Sequence, residues 1–351
     1  MKKVGIMTYH NSHSYGASLQ AYATLKALCD LGYDAYLVDY RNKYEQQRFK
    51  PHGKGLKNKL KDIKTKTAYY LLGSSKNYNR AFGNRNEMYQ DRISSDGIWD
   101  TLITGSDQTW NLDITGGLDP MYFLRFGDAN RRISYAASMG SRKFTDEESE
   151  KIKEYLKDYD AIAVREQFAK DEISKLTDTP IKIVCDPTLL ITDWSDITAD
   201  ISRYSHGKKF ALAMFIGGCT ERNIAFVKKA RKMIDVPILD IHNSNSFPRD
   251  GFDKCISGVT VPEFVSLIRE SEYVITDSFH GVAMSILLGK KVLPLINAKN
   301  PERVTYLLKS IGLEDMIENT EVLKENVDYS EAYKKIESIR QDSLDWLKGN
   351  V

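Results

Sequence analysis

The chain has 351 residues, of which 42% are hydrophobic and 28% charged, as is typical of a globular protein with a packed core. Its 50 Lys and Arg residues against 48 Asp and Glu residues give a net charge of +2, so no overall field favours a nucleic acid partner. The four cysteines are far apart in sequence, which excludes the usual zinc frameworks and disulfide scaffolds and fits reduced thiols in the cytosol.

The first half of the chain is predicted to alternate strands and helices. A strand over 4–7, a helix over 17–28 that ends at Gly32 and a strand over 35–38 form a βαβ unit with parallel strands. Further strands are predicted over 99–104, 132–137, 161–164 and 181–184. Thr145 and Glu148 match the capping-box pattern and open a helix through Leu156, and another helix is predicted over 166–176.

A basic insertion at about 42–96 interrupts this alternation. Residues 41–85 carry thirteen Lys and Arg against Glu45 and Asp62, a local charge of +11. A weak helical stripe runs through it, formed by Leu56, Leu60, Ile63, Thr67 and Tyr70. A basic amphipathic helix binds anionic membranes or anionic glycans, and the alternative is a solvated surface helix that covers the binding cleft.

A polar segment over 192–208 is interpreted as a linker to a second α/β set. Strands are predicted over 210–216, 238–241, 273–276 and 292–295, with helices over 221–234, 260–269 and 281–288. Apolar residues from Ser330 onward predict a final helix that packs back on the first domain. The expected domains are therefore 1–195, 205–328 and a C-terminal helix over 329–351.

Two such sets predict an α/β protein with two doubly wound, Rossmann-like halves that face each other across a cleft. Ligands of such sheets bind at the carboxyl ends of the strands, so the residues that follow each strand are the candidates for a site. The apolar run near the N-terminus is too short for a signal peptide, and no run approaches the ~18 residues of a membrane helix. We expect a cytoplasmic protein.

His280 follows the strand over 273–276 and precedes a helix, a position where backbone N–H groups bind anions. There it would contact a phosphate or carboxylate or deliver a proton. The alternative is a structural histidine at a helix start.

Arg165 follows the strand over 161–164, where a guanidinium suits a carboxylate or phosphate ligand. Its alternative is an inter-domain ion pair.

The loop after the strand over 99–104 combines a glycine, a carboxylate, two amides and an indole, in the run Gly105-Ser106-Asp107-Gln108-Thr109-Trp110-Asn111. This mixture suits a sugar, because polar groups bind hydroxyls and an aromatic ring covers the sugar face. Asp107 would also serve as a general base. The alternative is an Asx-type turn with a packed tryptophan.

After the first strand, the weaker candidates are His10, His13 and Gly16. The sequence contains no nucleotide-binding, metalloprotease, serine hydrolase or EF-hand motif.

Several motifs in this order resemble the polysaccharide pyruvyl transferase family, from about residue 3 to about residue 310. They are YGASLQA at 15–21, GSDQTWN at 105–111, YAASMG at 135–140, VRE at 164–166, CDPT at 185–188 and ITDSFHG at 275–281.

The resemblance implies a glycosyltransferase-B-like fold and transfer of a pyruvyl group from phosphoenolpyruvate to a sugar, with a pyruvate ketal as product. The acceptor would belong to bacterial exopolysaccharide, capsule or a cell-wall glycan, or to its lipid-linked precursor. His280 and Asp107 become the candidate catalytic residues. Donor binding is expected from Arg165, Ser278, Phe279 and Gly281, and acceptor binding from Gln108, Trp110, Asn111, His13 and Gly16. Phosphoenolpyruvate is a co-substrate, and no cofactor or metal is expected. An enzyme with a lipid-linked acceptor would sit at the inner face of the cell membrane.

The chain departs from the family at Ser278, where the resemblance implies an arginine. A hydroxyl binds an oxyanion but does not neutralise it. Lys290, Lys291 and Arg303 are the candidates that would compensate. Two alternatives therefore stay open: a glycosyltransferase that uses a nucleotide sugar, and a non-catalytic, glycan-binding partner in polysaccharide assembly.

Overall fold

The computed structural model describes residues 1–12, 14–44, 86–89, 91–216, 218–242, 250–297, 301–324 and 327–351. These form two compact units, one of residues 1–44, 86–192 and 336–351 and one of residues 193–335, apart from the gaps just given. His13 and the stripe predicted in the basic insertion lie outside the described residues.

The first unit is built on a seven-stranded parallel sheet in the order β3-β2-β1-β4-β5-β6-β7. The strands are β1 (Lys3–Met7), β2 (Asp34–Val38), β3 (Ile93–Ser94), β4 (Ile98–Thr104), β5 (Asp128–Ala137), β6 (Ala161–Val164) and β7 (Ile181–Ile183). Strand order reverses between β1 and β4. This is the switch point at whose carboxyl edge Rossmann-like sheets bind ligands.

The helices of this unit are α1 (Tyr15–Asp30), α2 (Asn86–Tyr89), α3 (Leu112–Thr115), α4 (Asp146–Leu156) and α5 (Gln167–Ile173). Side chains accept hydrogen bonds from the first N–H groups of α1, α3 and α4. Ser14 caps α1, and the predicted capping box of Thr145 and Glu148 is confirmed at the start of α4. Short 3₁₀ turns follow at Pro120–Phe123 and Pro187–Leu189.

The second unit has a five-stranded parallel sheet in the order β10-β9-β8-β11-β12, with its switch point between β8 and β11. Its strands are β8 (Ala211–Met214), β9 (Ile238–Ile241), β10 (Lys254–Ile256), β11 (Tyr273–Thr276) and β12 (Lys291–Pro294). Its helices are α6 (Ser202–Ser205), α7 (Glu221–Arg231), α8 (Val261–Glu270), α9 (Phe279–Leu287) and α10 (Pro301–Ile311), with 3₁₀ turns at Glu314–Met316 and Thr320–Leu323. The predicted class, α/β with two Rossmann-like halves, is confirmed by these two sheets.

The segment predicted as a linker is instead packed in the second unit. Trp194, Ile197, Ile201 and Tyr204 are buried. Arg269 on α8 donates hydrogen bonds to the carbonyl groups of Trp194 and Ile197. The apolar spacing within a polar segment was the signal of this packing.

The last helix, α11 (Ser330–Asn350), completes the first unit with residues 336–351. Ile336 and Leu347 are buried, and the Ser343 hydroxyl accepts the Cys185 N–H at 3.0 Å. The Trp346 ring lies 6.2 Å from the Tyr135 ring. Of the described helices, none is long and apolar enough to cross a membrane.

Candidate functional site

The loop after β4 is held in a conformation that few residues adopt. Gly105 has φ +106°, and a Cβ there would lie 2.2 Å from the Tyr135 carbonyl oxygen, so only glycine fits. Asp107 has φ +72°, in the left-handed region that is costly for a residue with a side chain. The Asp107 carbonyl accepts the Ser138 N–H at 2.9 Å, which ties the loop to the end of β5. The GSDQTWN and YAASMG motifs are therefore in contact in the structure.

Arg165, at the end of β6, lies among three carboxylates. Its Nη1 is 2.6 Å from Oδ2 of Asp186, its Nε 3.6 Å from Oε2 of Glu166, and its Nη2 3.8 Å from Oδ1 of Asp107. Burial alone would lower the pKa of Arg165, but attraction to these carboxylates outweighs it and the pKa lies above its ordinary value. The guanidinium is therefore a fixed cation whose charge is already balanced.

The expected role of Arg165 as a ligand of an anionic donor stays a prediction. Its side chain is 6% exposed, and its guanidinium lies among carboxylates. These ion pairs differ from the inter-domain pair that was the alternative, because all partners lie inside the first unit. Asp186 also accepts the N–H and hydroxyl of Thr188 through Oδ1, so CDPT fixes Arg165 and Arg165 in turn faces Asp107. The Arg165 guanidinium is thus held between Asp186 and Asp107.

Gln108 and Asn111 form a pair beside Asp107. The Asn111 amide donates to Oε1 of Gln108 at 2.7 Å, and Asn111 also caps α3. A Cβ at Gly140 would lie 2.6 Å from the Asn111 amide nitrogen, so this glycine leaves room for the pair. Their expected role in binding the acceptor stays a prediction.

Trp110 lies in the core and not at a surface. It has no exposed area, its indole N–H donates to the Tyr122 carbonyl at 3.2 Å, and its ring stacks on Phe123 at 5.6 Å. The expected role of covering a sugar ring does not fit a side chain that is fully enclosed. The packed-tryptophan alternative matches this position.

The start of α1 supports the same loop through hydrogen bonds. Gln20 donates to the Thr8 hydroxyl at 2.8 Å, and that hydroxyl donates to the Ser106 carbonyl at 2.9 Å. Gly16 is buried at the second position of α1, and His10 is buried against Tyr89. No role was predicted for Gln20, which contacts this loop through the Thr8 hydroxyl.

In the second unit, Asp277 joins three strand ends. Its Oδ1 accepts the Ile216 N–H, after β8, at 2.7 Å, and its Oδ2 accepts the Asn297 amide, after β12, at 2.9 Å. Burial raises the pKa of this carboxyl. Asp277 therefore fixes the carboxyl edge of the sheet at its switch point.

Ser278 is the N-cap of α9. Its hydroxyl accepts the Gly281 N–H at 3.2 Å, and its own N–H donates to the Thr276 hydroxyl at 3.0 Å. A Cβ at Gly281 would lie 2.8 Å from that hydroxyl, which explains the glycine of the motif. The helix starts two residues earlier than predicted because Ser278 was not identified as the cap.

His280 is the second residue of α9 and is buried, with 6% of its surface exposed. The Phe279 ring meets the imidazole ring edge-on, with centroids 5.0 Å apart at 90°. On α10, the guanidinium carbon of Arg303 lies 5.2 Å from the centroid of the same Phe279 ring. Ser278, Phe279, His280 and Gly281 thus lie at the start of α9, and Arg303 of α10 lies beside Phe279.

The described ranges contain no group of three or more His, Cys, Asp or Glu side chains arranged to hold a metal ion.

The candidate residues fall into two sets, one in each unit. Asp107, Gln108, Asn111 and Arg165 lie in the first unit, and Ser278, Phe279, His280 and Gly281 lie in the second.

The sequence profile of the polysaccharide pyruvyl transferase family matches residues 15–299 of this chain. None of the curated proteins matches the sequence.

Solved structures show a distant likeness over the whole chain. A putative UDP-N-acetylglucosamine 2-epimerase from Listeria monocytogenes has a TM-score of 0.48 and 13% identity, with 99% of this chain and 91% of that one covered. UGT89C1 of Arabidopsis thaliana, complexed with quercetin, has a TM-score of 0.48 and 10% identity over 99% and 98% of the two chains. HepE of Anabaena, in complex with UDP and glucose, has a TM-score of 0.44 and 9% identity over 99% and 100%.

Proposed function

Because the chain belongs to the polysaccharide pyruvyl transferase family, we propose that it transfers a pyruvyl group from phosphoenolpyruvate to a sugar and forms a pyruvate ketal. The acceptor is a sugar of a bacterial surface polysaccharide or of its lipid-linked precursor. The observation that carries the proposal is the position of His280, at the start of α9 beside the switch point of the second sheet.

His280 is the proposed general acid. Transfer from phosphoenolpyruvate begins with a proton on the methylene carbon, which becomes a methyl group and leaves the adjacent carbon electrophilic. The Phe279 ring and the capped start of α9 hold the imidazole in place for this step. A positioned acid of this kind contributes about 10²–10⁴ in rate.

Asp107 is the proposed base for the acceptor hydroxyl. Its carboxylate is 15% exposed, while the left-handed backbone and the Arg165 guanidinium fix its orientation. Gln108 and Asn111 provide amide groups beside it for the other sugar hydroxyls.

The atoms balance without a further reactant. The first sugar hydroxyl adds to the electrophilic carbon and gives its proton to Asp107. The second hydroxyl then displaces phosphate at the same carbon, which closes the ketal. Of the two hydroxyl protons, one offsets the proton delivered to the methyl group and the other leaves with inorganic phosphate.

A lipid-linked acceptor would bring the enzyme to the inner face of the cell membrane. Support comes from the sequence, where residues 41–85 carry a net charge of +11 that anionic lipids attract. Sedimentation with anionic and with neutral vesicles tests this part, and equal binding to both would contradict it.

The main test measures donor binding and phosphate release. We expect phosphoenolpyruvate to raise the melting temperature, since a ligand at 100 times its Kd adds about 2.7 kcal/mol. Phosphate release should require both phosphoenolpyruvate and a sugar acceptor, and His280→Ala should lower turnover by about 10²–10⁴ while donor binding partly remains.

Other outcomes identify the other functions. Stabilisation by nucleotide sugars and not by phosphoenolpyruvate would point to a glycosyltransferase. Glycan binding without phosphate release, and unchanged by His280→Ala, would point to a non-catalytic partner.

A further inference from the structure

The orientation of the Gln108 amide is fixed by a chain of hydrogen bonds that starts at α3. The Asp113 N–H is a backbone donor, so the Asn111 atom that accepts it at 3.1 Å is the oxygen Oδ1. The Asn111 nitrogen Nδ2 therefore points the other way and donates to Gln108 at 2.7 Å. Because a donor meets a hydrogen-bond acceptor, the Gln108 atom at this contact is Oε1, and Nε2 lies on the opposite side of the amide.

The other hydrogen bonds of Gln108 also occupy an oxygen atom. Its main-chain carbonyl accepts the Tyr9 hydroxyl at 3.3 Å and the Asn111 N–H at 3.0 Å. Within the part of the chain that the structure describes, Nε2 of Gln108 donates to no protein atom. The side chain is partly exposed, so Gln108 offers two N–H groups to a ligand beside the candidate base Asp107.

Gly140 leaves the space in which this amide is held. A Cβ there would lie 2.8 Å from Oε1 of Gln108 and 2.6 Å from Nδ2 of Asn111, and its φ of +66° is in the left-handed region. The end of the YAASMG motif and the start of α3 therefore act on the same pair of amides. Both keep the donor end of Gln108 directed away from Asn111.

The two sugar hydroxyls of the proposed reaction need different neighbours. The first hydroxyl gives its proton to Asp107, which accepts it. The second attacks the same carbon with a lone pair, while its proton leaves with the phosphate. A neighbour that only donates suits this second hydroxyl, because it binds one oxygen lone pair, leaves the other for attack and does not compete for the proton.

We propose that Nε2 of Gln108 binds the second hydroxyl of the sugar acceptor, the one that closes the ketal, and that Asn111 is the positioning residue that keeps this donor group turned toward it. The inference deepens the proposed function and rests on it. It also defines the class of acceptor, since a sugar with an ammonium group in place of the second hydroxyl would present a donor to a donor.

The test follows phosphate release from phosphoenolpyruvate by the full-length chain, with the methyl pyranosides of glucose, galactose and mannose as sugar acceptors. Gln108→Glu keeps the hydrogen bond from Asn111 but replaces Nε2 by an oxygen. Asn111→Asp still caps α3, but its second oxygen accepts and so turns the Gln108 amide over. We expect kcat/KM for the glycoside to fall about 10–100-fold in both variants, with KM for phosphoenolpyruvate unchanged.

Gln341→Glu is the matched control. Gln341 donates to Asp345 on the exposed side of α11, so the same change of amide to carboxylate there should leave the kinetics as in the wild type. Near-UV circular dichroism of all variants should match the wild type, which separates a lost hydrogen bond from lost folding.

A second readout separates this role from a structural one. If Gln108 binds the second hydroxyl, its loss slows ring closure more than the first addition. Mass spectrometry of the quenched reaction should then show, in Gln108→Glu, a sugar adduct that still carries the phosphate, at a higher ratio to the ketal than in the wild type. A purely structural defect would lower the adduct and the ketal together.

The failure of this inference differs from the failure of the proposed function. Wild-type kcat/KM in Gln108→Glu, or no rise in the adduct, would overturn the role of Gln108 and leave the proposed function standing. If the wild type releases no phosphate with these glycosides, saturation-transfer NMR of their binding decides. Weaker binding to Gln108→Glu than to the wild type supports the hydrogen bond, and equal or absent binding overturns it. A wild type that does not bind phosphoenolpyruvate would overturn the proposed function itself.

Discussion

The Arg165 guanidinium lies 2.6 Å from the Asp186 carboxylate, and Asp186 has no exposed side-chain surface. The pair links the ends of β6 and β7 and turns the remaining side of the guanidinium toward Asp107. The guanidinium that the sequence predicts as an anion ligand therefore also contacts the candidate base Asp107.

Arg165→Ala should destabilise the protein by about 3–5 kcal/mol, because it leaves buried carboxylates near one another without their cation. Urea unfolding measures this loss. The control is Arg142→Ala, which removes partly exposed ion pairs with Asp113 and Glu148 and should cost at most about 1 kcal/mol. Equal losses in the two variants would contradict the expected stabilisation by the buried Arg165–Asp186 pair.

Gly281→Ala should displace the start of α9, since the new Cβ would lie 2.8 Å from the Thr276 hydroxyl that accepts the Ser278 N–H. We expect a loss of about 1–3 kcal/mol in stability and a fall in turnover of up to about 100-fold. Gly349→Ala is the control, because nothing lies within 4 Å of that site and alanine favours the helix. Full activity in Gly281→Ala would refute the proposed placement of His280.

Asp277→Asn should change how stability depends on pH. Burial raises the pKa of Asp277 in the folded state above its ordinary value of 3.8. Its contribution to the free energy of unfolding is therefore complete below pH 3.8 and is lost as the pH rises through the higher folded pKa. Relative to the wild type, Asp277→Asn should therefore become more stable as pH rises from about 4 to 7 in urea unfolding.

Asp200→Asn is the comparison, and its effect on the pH dependence of stability should have the opposite sign. Hydrogen bonds from the N–H and hydroxyl of Ser202 lower the pKa of Asp200, so its contribution is present above pH 3.8 and is lost as pH falls. The same trend in both variants would show that the pH effect does not come from these carboxyls.

The Cys185 thiol should resist alkylation in the folded protein. Burial raises its pKa to about 12, and the thiolate is the reactive form. Compared with the ordinary value of 9.0, this lowers the thiolate fraction about 1000-fold at pH 8. Mass spectrometry after iodoacetamide treatment should show Cys29, which is partly exposed, modified long before Cys185, and equal rates without denaturant would disprove the prediction.

Strands and capped helices were largely predictable because their signals are local. Thr145 with Glu148 and Thr260 with Glu263 open helices as capping boxes in the structure. The strand over 161–164 has the bounds that its apolar run predicts. The short β10 was missed, since a three-residue strand with Lys254 and Cys255 has no clear pattern.

The positions of the candidate residues at strand ends were predictable, but their side-chain contacts were not. Asp107 and His280 both follow strands beside switch points, as the strand-end rule requires. Which side chains reach the surface depends on partners distant in sequence: Phe123 for Trp110, and Asp186 for Arg165. The contact of Arg303 with Phe279 likewise depends on where the fold places α10.

The first unit is built from stretches that are far apart in the sequence, and this affects how it folds during synthesis. Residues 336–351 complete that unit, and they leave the ribosome only after all of residues 193–335. Domains generally fold as units while the chain is made. In the complete protein the Cys185 N–H contacts Ser343 and the Tyr135 ring contacts Trp346. These two contacts cannot form until the second unit has been translated. During that interval the first unit lacks residues 336–351.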